Sequence, residues 1–119
     1  MIQDPTAADT QLPAWDETAA LSAVAGDADL ARELLTALIA GLPAEIEGLR
    51  AAAIVAGGSA ALAEVAHHMR GATRYCGVLA LDAALEDLER AAKAGNTADM
   101  AAGLAQVEAE AARLAADCG

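Results

Sequence analysis

Aromatic residues are nearly absent from this sequence, which has no phenylalanine and only Trp15 and Tyr75 as aromatic side chains. Alanine, in contrast, is abundant. Alanine has the highest helix propensity, whereas strands are enriched in aromatic and β-branched residues. The composition therefore predicts an all-α protein, and 119 residues are enough for one domain with one core.

Positive charge is also scarce, because 7 Lys and Arg residues stand against 18 Asp and Glu residues, a formal charge of −11. A protein that binds nucleic acid must neutralise several phosphates, and acidic membrane surfaces attract basic segments. We therefore expect no nucleic-acid partner and no membrane contact for this domain.

Cysteine is limited to Cys76 and Cys118, which is too few for a disulfide framework in a chain of this length. Cys76 lies among apolar residues, so we expect a reduced and partly buried thiol. No stretch resembles a transmembrane span or a signal sequence, which makes a cytoplasmic domain the simplest expectation.

The order of capping residues and apolar residues predicts a flexible lead-in over residues 1–14 and a helical domain over residues 15–119. Helices are expected at about residues 17–25, 28–56, 60–76, 80–94 and 98–116, with N-caps that include Asp16, Asp27, Ser59 and Thr97. The second helix contains Pro43, but its apolar spacing keeps one phase past the proline. We therefore predict a single helix that is kinked near Gly41–Pro43.

Four long amphipathic helices joined by short turns predict an antiparallel up-down-up-down four-helix bundle, with the short first helix packed at one end. On the fourth helix we expect the leucines to face inward and two ion pairs, Glu86–Arg90 and Glu89–Lys93, to face outward. The expected core stripes are Leu30, Leu34, Leu38, Leu42, Ile46, Leu49 and Ala53; Leu81, Leu85 and Leu88; and Met100, Leu104, Val107, Ala111 and Leu114.

Both histidines of the chain lie in the middle of the third helix. At 100° per residue, His67 points about 160° away from the apolar stripe, towards solvent, and His68 lies about 100° away on the flank. The stripe consists of Leu62, Val65, Ala66, Met69, Ala72 and Cys76. His67 is thus the candidate for chemistry, and His68 is expected to pack partly against a neighbouring helix.

The face around His67 combines small residues with positive charge. Ala63 lies one turn before it and Ala60 two turns before it, while Arg70 and Arg74 lie on the C-terminal side. Residues 58–77 carry a net charge of +1 within a chain that is otherwise acidic. Gly71 costs a helix about 1 kcal/mol relative to alanine, which makes sense if another molecule approaches the ring closely.

The run from Ala66 to Gly77 resembles the phosphorylation motif of histidine-containing phosphotransfer domains. That motif has an apolar residue two positions after the histidine, Lys or Arg at the third, glycine at the fourth and often glycine at the tenth. The corresponding residues here are Met69, Arg70, Gly71 and Gly77. The resemblance covers about residues 14–117 and is closest to the C-terminal domain of hybrid sensor kinases of the BarA/GacS kind.

The resemblance implies a phosphoryl carrier in a His–Asp phosphorelay rather than an enzyme with its own catalytic site. His67 would accept the phosphoryl group on its outer ring nitrogen, Arg70 would hold the phosphoryl oxygens, and Gly71 would leave room for the partner. The implied partners are receiver domains of response regulators, as donor and as acceptor, and they would supply Mg²⁺, so that the domain needs no cofactor. We expect it to act as a monomer.

Geometry alone adds a phosphate-stabilising role for Arg74 and makes Ala63 and Ala60 part of the surface that admits the partner.

Three alternatives to the carrier function stay open at this point. A histidine kinase dimerisation domain usually has an acidic residue after its histidine, where this chain has His68. A metal-bound bundle is disfavoured because adjacent helical histidines diverge by about 100°. A scaffold or dimerisation bundle without chemistry is the third.

Overall fold

The computed structural model describes residues 12–55 and 58–119. These residues form five α-helices and no strand, which confirms the predicted all-α class. The predicted third helix is three residues too long, because residues 74–77 form a turn. The helices are α1 (Glu17–Ala23), α2 (Ala28–Ile54), α3 (Gly58–Thr73), α4 (Leu79–Ala94) and α5 (Thr97–Cys118).

Three of the helices, α1, α2 and α5, begin at a side-chain N-cap, and two of the predicted caps are wrong. Asp16 and Asp27 cap α1 and α2 as predicted, each accepting a hydrogen bond from the backbone N–H three residues later. The N-cap of α5 is Asn96 rather than Thr97, since its Oδ1 accepts from the Asp99 N–H. Asparagine is the stronger N-cap of the two residues. Ser59 lies inside α3 rather than capping it.

Helix α2 continues through Pro43 without a break, as its apolar spacing predicts. The proline removes one N–H from the helical hydrogen bonds. The buried residues Leu42, Ile46 and Leu49 hold the helix against its neighbours on both sides of this point. Packing of the apolar face therefore outweighs the local cost of the proline. The kink near Gly41–Pro43 stays a prediction.

The first half of α2 is rotated relative to the predicted stripe. Ala31 and Leu35 are buried, whereas Leu30 and Leu34 are 39% and 36% exposed. Both sets follow helical spacing, so periodicity by itself could not decide which of them faces the core. The prediction that Leu30 and Leu34 belong to the core is wrong.

The four long helices close a ring in which α2 packs against α3 and α5, α3 packs against α4, and α4 packs against α5. Helix α1 packs on α2. The predicted inward leucines of α4 are fully buried, as are Val107 and Leu114 of α5. The side chains with less than 2% exposure are Leu35, Leu49, Leu62, Leu81, Leu85, Leu88, Leu114, Val78, Val107 and Thr73.

The segment before α1 is fixed against the turn that follows α3. The Asp16 N–H donates to the Gly77 carbonyl at 2.7 Å, and Trp15 Nε1 donates to the Cys76 carbonyl at 2.9 Å. The Pro13 carbonyl accepts from the Ala80 N–H at 3.2 Å, and Ala14 is buried. The predicted flexible lead-in is therefore wrong for residues 12–14. Its first 11 residues lie outside the described residues.

Gly77 is required by this arrangement. Its φ of +74° lies in the left-handed region, which side chains with a Cβ disfavour. A Cβ at this position would also lie 2.6 Å from the Asp16 carbonyl oxygen and 2.9 Å from the Ala20 Cβ. The glycine at the end of the motif thus lets the chain turn while the segment before α1 packs directly on it.

Candidate functional site

His67 lies in the middle of α3 with 68% of its side chain exposed, as the helical geometry predicts. One edge of its ring, however, faces α4. Its Nδ1 lies 3.0 Å from Oε2 of Glu89, a hydrogen bond across the two helices. A carboxylate can only accept, so this contact places the ring proton on Nδ1. The lone pair of the neutral ring is then on Nε2, the nitrogen that makes no contact with Glu89.

Glu89 is the residue that sequence reasoning placed on the wrong face. Its side chain is only 6% exposed, not outward as expected, although its predicted pair with Lys93 does form at 2.8 Å. At 100° per residue it lies about 70° from the centre of the inward face marked by Leu81, Leu85 and Leu88. This position on the flank of the inward face could have predicted that Glu89 is partly buried. The spacing of four residues to Lys93 predicted an exposed ion pair instead.

Three cationic or hydrogen-donating groups meet at the Glu89 carboxylate. Oε2 contacts both His67 Nδ1 and Lys93 Nζ, and Oε1 lies 3.4 Å from Arg70 Nη1. Burial acts to raise the pKa of Glu89, but the hydrogen bonds and charges of Lys93 and His67 outweigh it and hold that pKa below its ordinary value. Glu89 therefore stays ionised at neutral pH and acts as a fixed acceptor for the His67 ring.

Arg70 is held between α3 and α4 rather than extended into solvent. Its side chain is 17% exposed and lies between two carboxylates, with Nε 3.6 Å from Asp82 Oδ1 and Nη1 near Glu89. Nε is buried and makes no hydrogen bond within the described residues. Asp82 also accepts a hydrogen bond of 2.7 Å from the buried Thr73 hydroxyl, which ties the end of α3 to α4.

The other predicted site residues divide between surface and core. Arg74 and Ala60 are exposed, and Arg74 makes no ion pair within residues 12–55 and 58–119. A Cβ at Gly71 would meet no atom within 4 Å, so the space beside it is open. Ala63, in contrast, is only 8% exposed and packs in the core. The expectation that Ala63 contributes accessible surface is wrong, because α3 is rotated towards α4 relative to the predicted stripe.

An apolar groove of about 440 Å³ runs between α2 and α3. Leu34 and Leu38 line it from α2, and Gly71 and Tyr75 line it from α3 and the following turn. His68 forms part of the same wall and is exposed rather than packed under a neighbouring helix. The Cys76 thiol at the groove is free and buried, as predicted, and burial raises its pKa.

Comparison with known proteins places the chain in a family. The family model described as "Hpt domain" matches residues 33–117, which is more than half of the chain. The chain belongs to the Hpt domain family. As an Hpt domain it is a phosphotransfer module, and the match includes α3 with His67 as well as α4 with Glu89.

Two curated relatives of this Hpt domain are GacS proteins. It is 39% identical over 107 residues to the sensor histidine kinase GacS of Pseudomonas protegens, covering 90% of this chain and 12% of that protein. It is 42% identical over 74 residues to the sensor protein GacS of Pseudomonas syringae pv. syringae, covering 62% of this chain and 8% of that protein. The chain thus spans only a small fraction of these relatives. No solved structure gives a significant match.

Metal sites and membrane-spanning helices are absent from the part of the chain that the structure describes. No group of three or more His, Cys, Asp or Glu side chains there is arranged to hold a metal ion. None of the five helices combines the length and the apolar character needed to cross a lipid bilayer.

Proposed function

We propose that this Hpt domain carries a phosphoryl group on Nε2 of His67, receiving it from the aspartate of one receiver domain and passing it to that of another. The observation that carries the proposal is the His67–Glu89 hydrogen bond. It holds an otherwise exposed imidazole in the tautomer whose nucleophilic nitrogen points to solvent.

The chemistry needs only what this geometry offers. The Nε2 lone pair of neutral His67 attacks the phosphorus of the aspartyl phosphate, forming an N–P bond while the P–O bond to the aspartate breaks. The aspartate leaves as a carboxylate, and the ring, with its proton still on Nδ1, becomes positively charged beside Glu89. The reverse step returns a neutral imidazole as leaving group. Transfer can therefore run in either direction.

The positive charges nearby suit a transferred phosphoryl group, whose charge is spread over its oxygens. Arg74, exposed two turns after His67, is placed to approach such a group on the same face of α3. Arg70 lies closer to the ring but is shared by Glu89 and Asp82. We propose that Arg70 partly neutralises these two carboxylates when the phosphoryl group binds. It would also contact the phosphoryl oxygens.

The groove between α2 and α3 supports docking of a receiver domain. Leu34, Leu38 and Tyr75 offer exposed or half-exposed apolar surface of the kind that packs against an amphipathic helix. The open space at Gly71 leaves room for the partner's active site, which would bring the aspartate and Mg²⁺. The domain itself would then need no cofactor and would act as a monomer on each receiver in turn.

The similarity to GacS proteins supports a place for such a domain in a hybrid sensor kinase, with the domain on the cytoplasmic side. Two other functions differ from the carrier in the phosphate donor that they would use. A kinase dimerisation domain would be labelled by ATP and Mg²⁺ when its nucleotide-binding domain is added, whereas a carrier takes phosphate from receivers. An inert scaffold would take up phosphate from neither donor.

The test is to mix the domain with a receiver charged by an acyl phosphate, in the presence of Mg²⁺, and to measure acid-labile phosphate on the domain. Wild type and His68→Ala should be labelled, whereas His67→Gln should remain unlabelled with an unchanged circular dichroism spectrum. The two variants are matched, because both alter an exposed histidine on α3. Labelling that follows His68 instead of His67, or that never occurs with any charged receiver, would overturn the proposal.

A further inference from the structure

We propose that Lys93 is a second phosphate-contacting residue, supplied by α4, whose ammonium group turns from Glu89 to the phosphoryl group once His67 is phosphorylated. This inference rests on the proposed carrier function. It adds to that function a residue from the neighbouring helix, outside the motif around the histidine.

The first argument is distance. Lys93 Nζ lies 2.8 Å from Glu89 Oε2, and His67 Nδ1 lies 3.0 Å from the same oxygen atom. The ammonium group and the ring nitrogen are therefore within about 6 Å of each other. Contact with a phosphoryl group on Nε2 requires the flexible lysine stem to rotate towards that end of the ring.

The second argument is freedom to move. The Lys93 side chain is 66% exposed, whereas Glu89 is 6% exposed and fixed. Arg70, which is 17% exposed and shared by two carboxylates, is much more restricted. Of the two cations that contact Glu89, Lys93 is thus the one that can change partner without leaving a buried position.

The third argument is charge. Phosphorylation brings an anionic group close to the buried Glu89 carboxylate, and the two repel each other. A cation between the two anions reduces this repulsion, and Lys93 already lies at the boundary between the carboxylate and solvent. Other charged residues of the same surface, Glu86 and Arg90, pair with each other at 3.9 Å.

Lys93 is the only lysine in the chain, which makes the inference directly testable. After labelling with ¹⁵N-lysine, the ammonium group gives one side-chain signal. The domain would be phosphorylated by a charged receiver and the signal followed. We expect it to shift and to exchange its protons more slowly, because a charge-assisted hydrogen bond to phosphate forms. An unchanged signal on a domain shown to carry phosphate would overturn the inference.

Transfer rates provide the second test. Lys93→Met should slow phosphoryl transfer from the receiver by about tenfold, the effect of one hydrogen bond to a charged group. Lys93→Arg should restore the rate to within about threefold of wild type, because it keeps the charge. The matched control is Arg90→Met, which removes an exposed cation of α4 that pairs with Glu86 and Asp87. A rate for Lys93→Met within twofold of this control would refute the contact.

A combined variant separates direct contact from an effect through Glu89. If Lys93 only positions that carboxylate, Lys93→Met will have no effect in a Glu89→Leu background. Direct contact with phosphate predicts that it still slows transfer several-fold there. Failure of this inference leaves the carrier function intact, provided that wild type is labelled on His67. A wild type that takes up no phosphate would overturn both.

Discussion

Glu89→Leu is the substitution that probes the site most sharply. It removes the carboxylate from a buried position on α4 while keeping a side chain of similar volume. Three donors lose their acceptor. His67 and Lys93 are mostly exposed and can turn to water, whereas Arg70 is mostly buried and keeps only Asp82.

The expected loss of stability follows from these exposures. Ion pairs that involve exposed partners contribute about 0.2–1 kcal/mol each, and a hydrogen bond to a charged group about 1.5–3 kcal/mol. Part of this sum is offset because the carboxylate no longer has to be desolvated. We therefore expect the free energy of unfolding to fall by about 1–2 kcal/mol, with the helical fold retained.

The effect on phosphoryl transfer comes from the tautomer of His67. The hydrogen bond to Glu89 favours the tautomer with a free Nε2 lone pair, and a bias of about 1–2 kcal/mol is a factor of roughly 5–30 in the ratio of the two tautomers. Without it, the reactive tautomer becomes the minor one, because an unconstrained histidine ring prefers its proton on Nε2, and transfer from a charged receiver should slow severalfold. Glu89→Gln should be intermediate, because its amide offers one acceptor oxygen to donors on both sides.

Single-turnover transfer from a charged receiver gives the rate, and the ¹⁵N shifts of the His67 ring give the tautomer. Glu86→Leu, at an exposed position of α4, is the matched control and should behave as wild type in both measurements. If Glu89→Leu transfers phosphate within twofold of wild type, or if its His67 ring keeps the proton on Nδ1, the assigned role of Glu89 is refuted.

Three further predictions concern the glycines and pH. Gly71→Glu should slow transfer while leaving the melting temperature unchanged or higher, because the site has open space and glycine weakens a helix; unchanged transfer would remove the reason given for this glycine. Gly77→Ala should lower the free energy of unfolding by about 2–3 kcal/mol, because Gly77 has a positive φ and an added Cβ would lie too close to the Asp16 carbonyl oxygen. Urea titration measures this loss, and a loss below about 0.5 kcal/mol would contradict the packing described. The lowered pKa of Glu89 stabilises the fold fully above the ordinary glutamate pKa, and this contribution should be lost as pH falls below about 4. The difference in the free energy of unfolding between wild type and Glu89→Gln should therefore shrink below that pH. A difference that stays constant from pH 7 to 3 would contradict this prediction.

Much of the fold was predictable because helix formation and capping depend on neighbours in the sequence. Asp16 and Asp27 cap the helices that they were expected to cap, and α2 passes through Pro43 because its apolar residues keep their phase. The position of His67 on the face of α3 opposite the core follows from the same helical geometry. Its exposure was confirmed.

The rotation of each helix within the bundle was not predictable in the same way. Periodicity permits neighbouring stripes, and the choice between Leu34 and Leu35, or the burial of Ala63, depends on which helices lie beside α2 and α3. A stripe that is displaced by one residue still looks amphipathic. The apolar spacing therefore predicts a core position for two leucines of α2 that are exposed, and Leu34 lines the groove instead.

The sequence by itself determined that this chain is helical, where its helices begin and end to within a few residues, and that His67 faces solvent within a motif typical of phosphotransfer domains. Only the tertiary structure decided what His67 contacts. Glu89 is 22 residues away along the chain, and its hydrogen bond to His67 exists because α3 and α4 pack side by side. The spacing of apolar residues in the sequence predicts the direction in which a side chain points from its own helix. The residue that this side chain contacts depends on how two helices pack against each other.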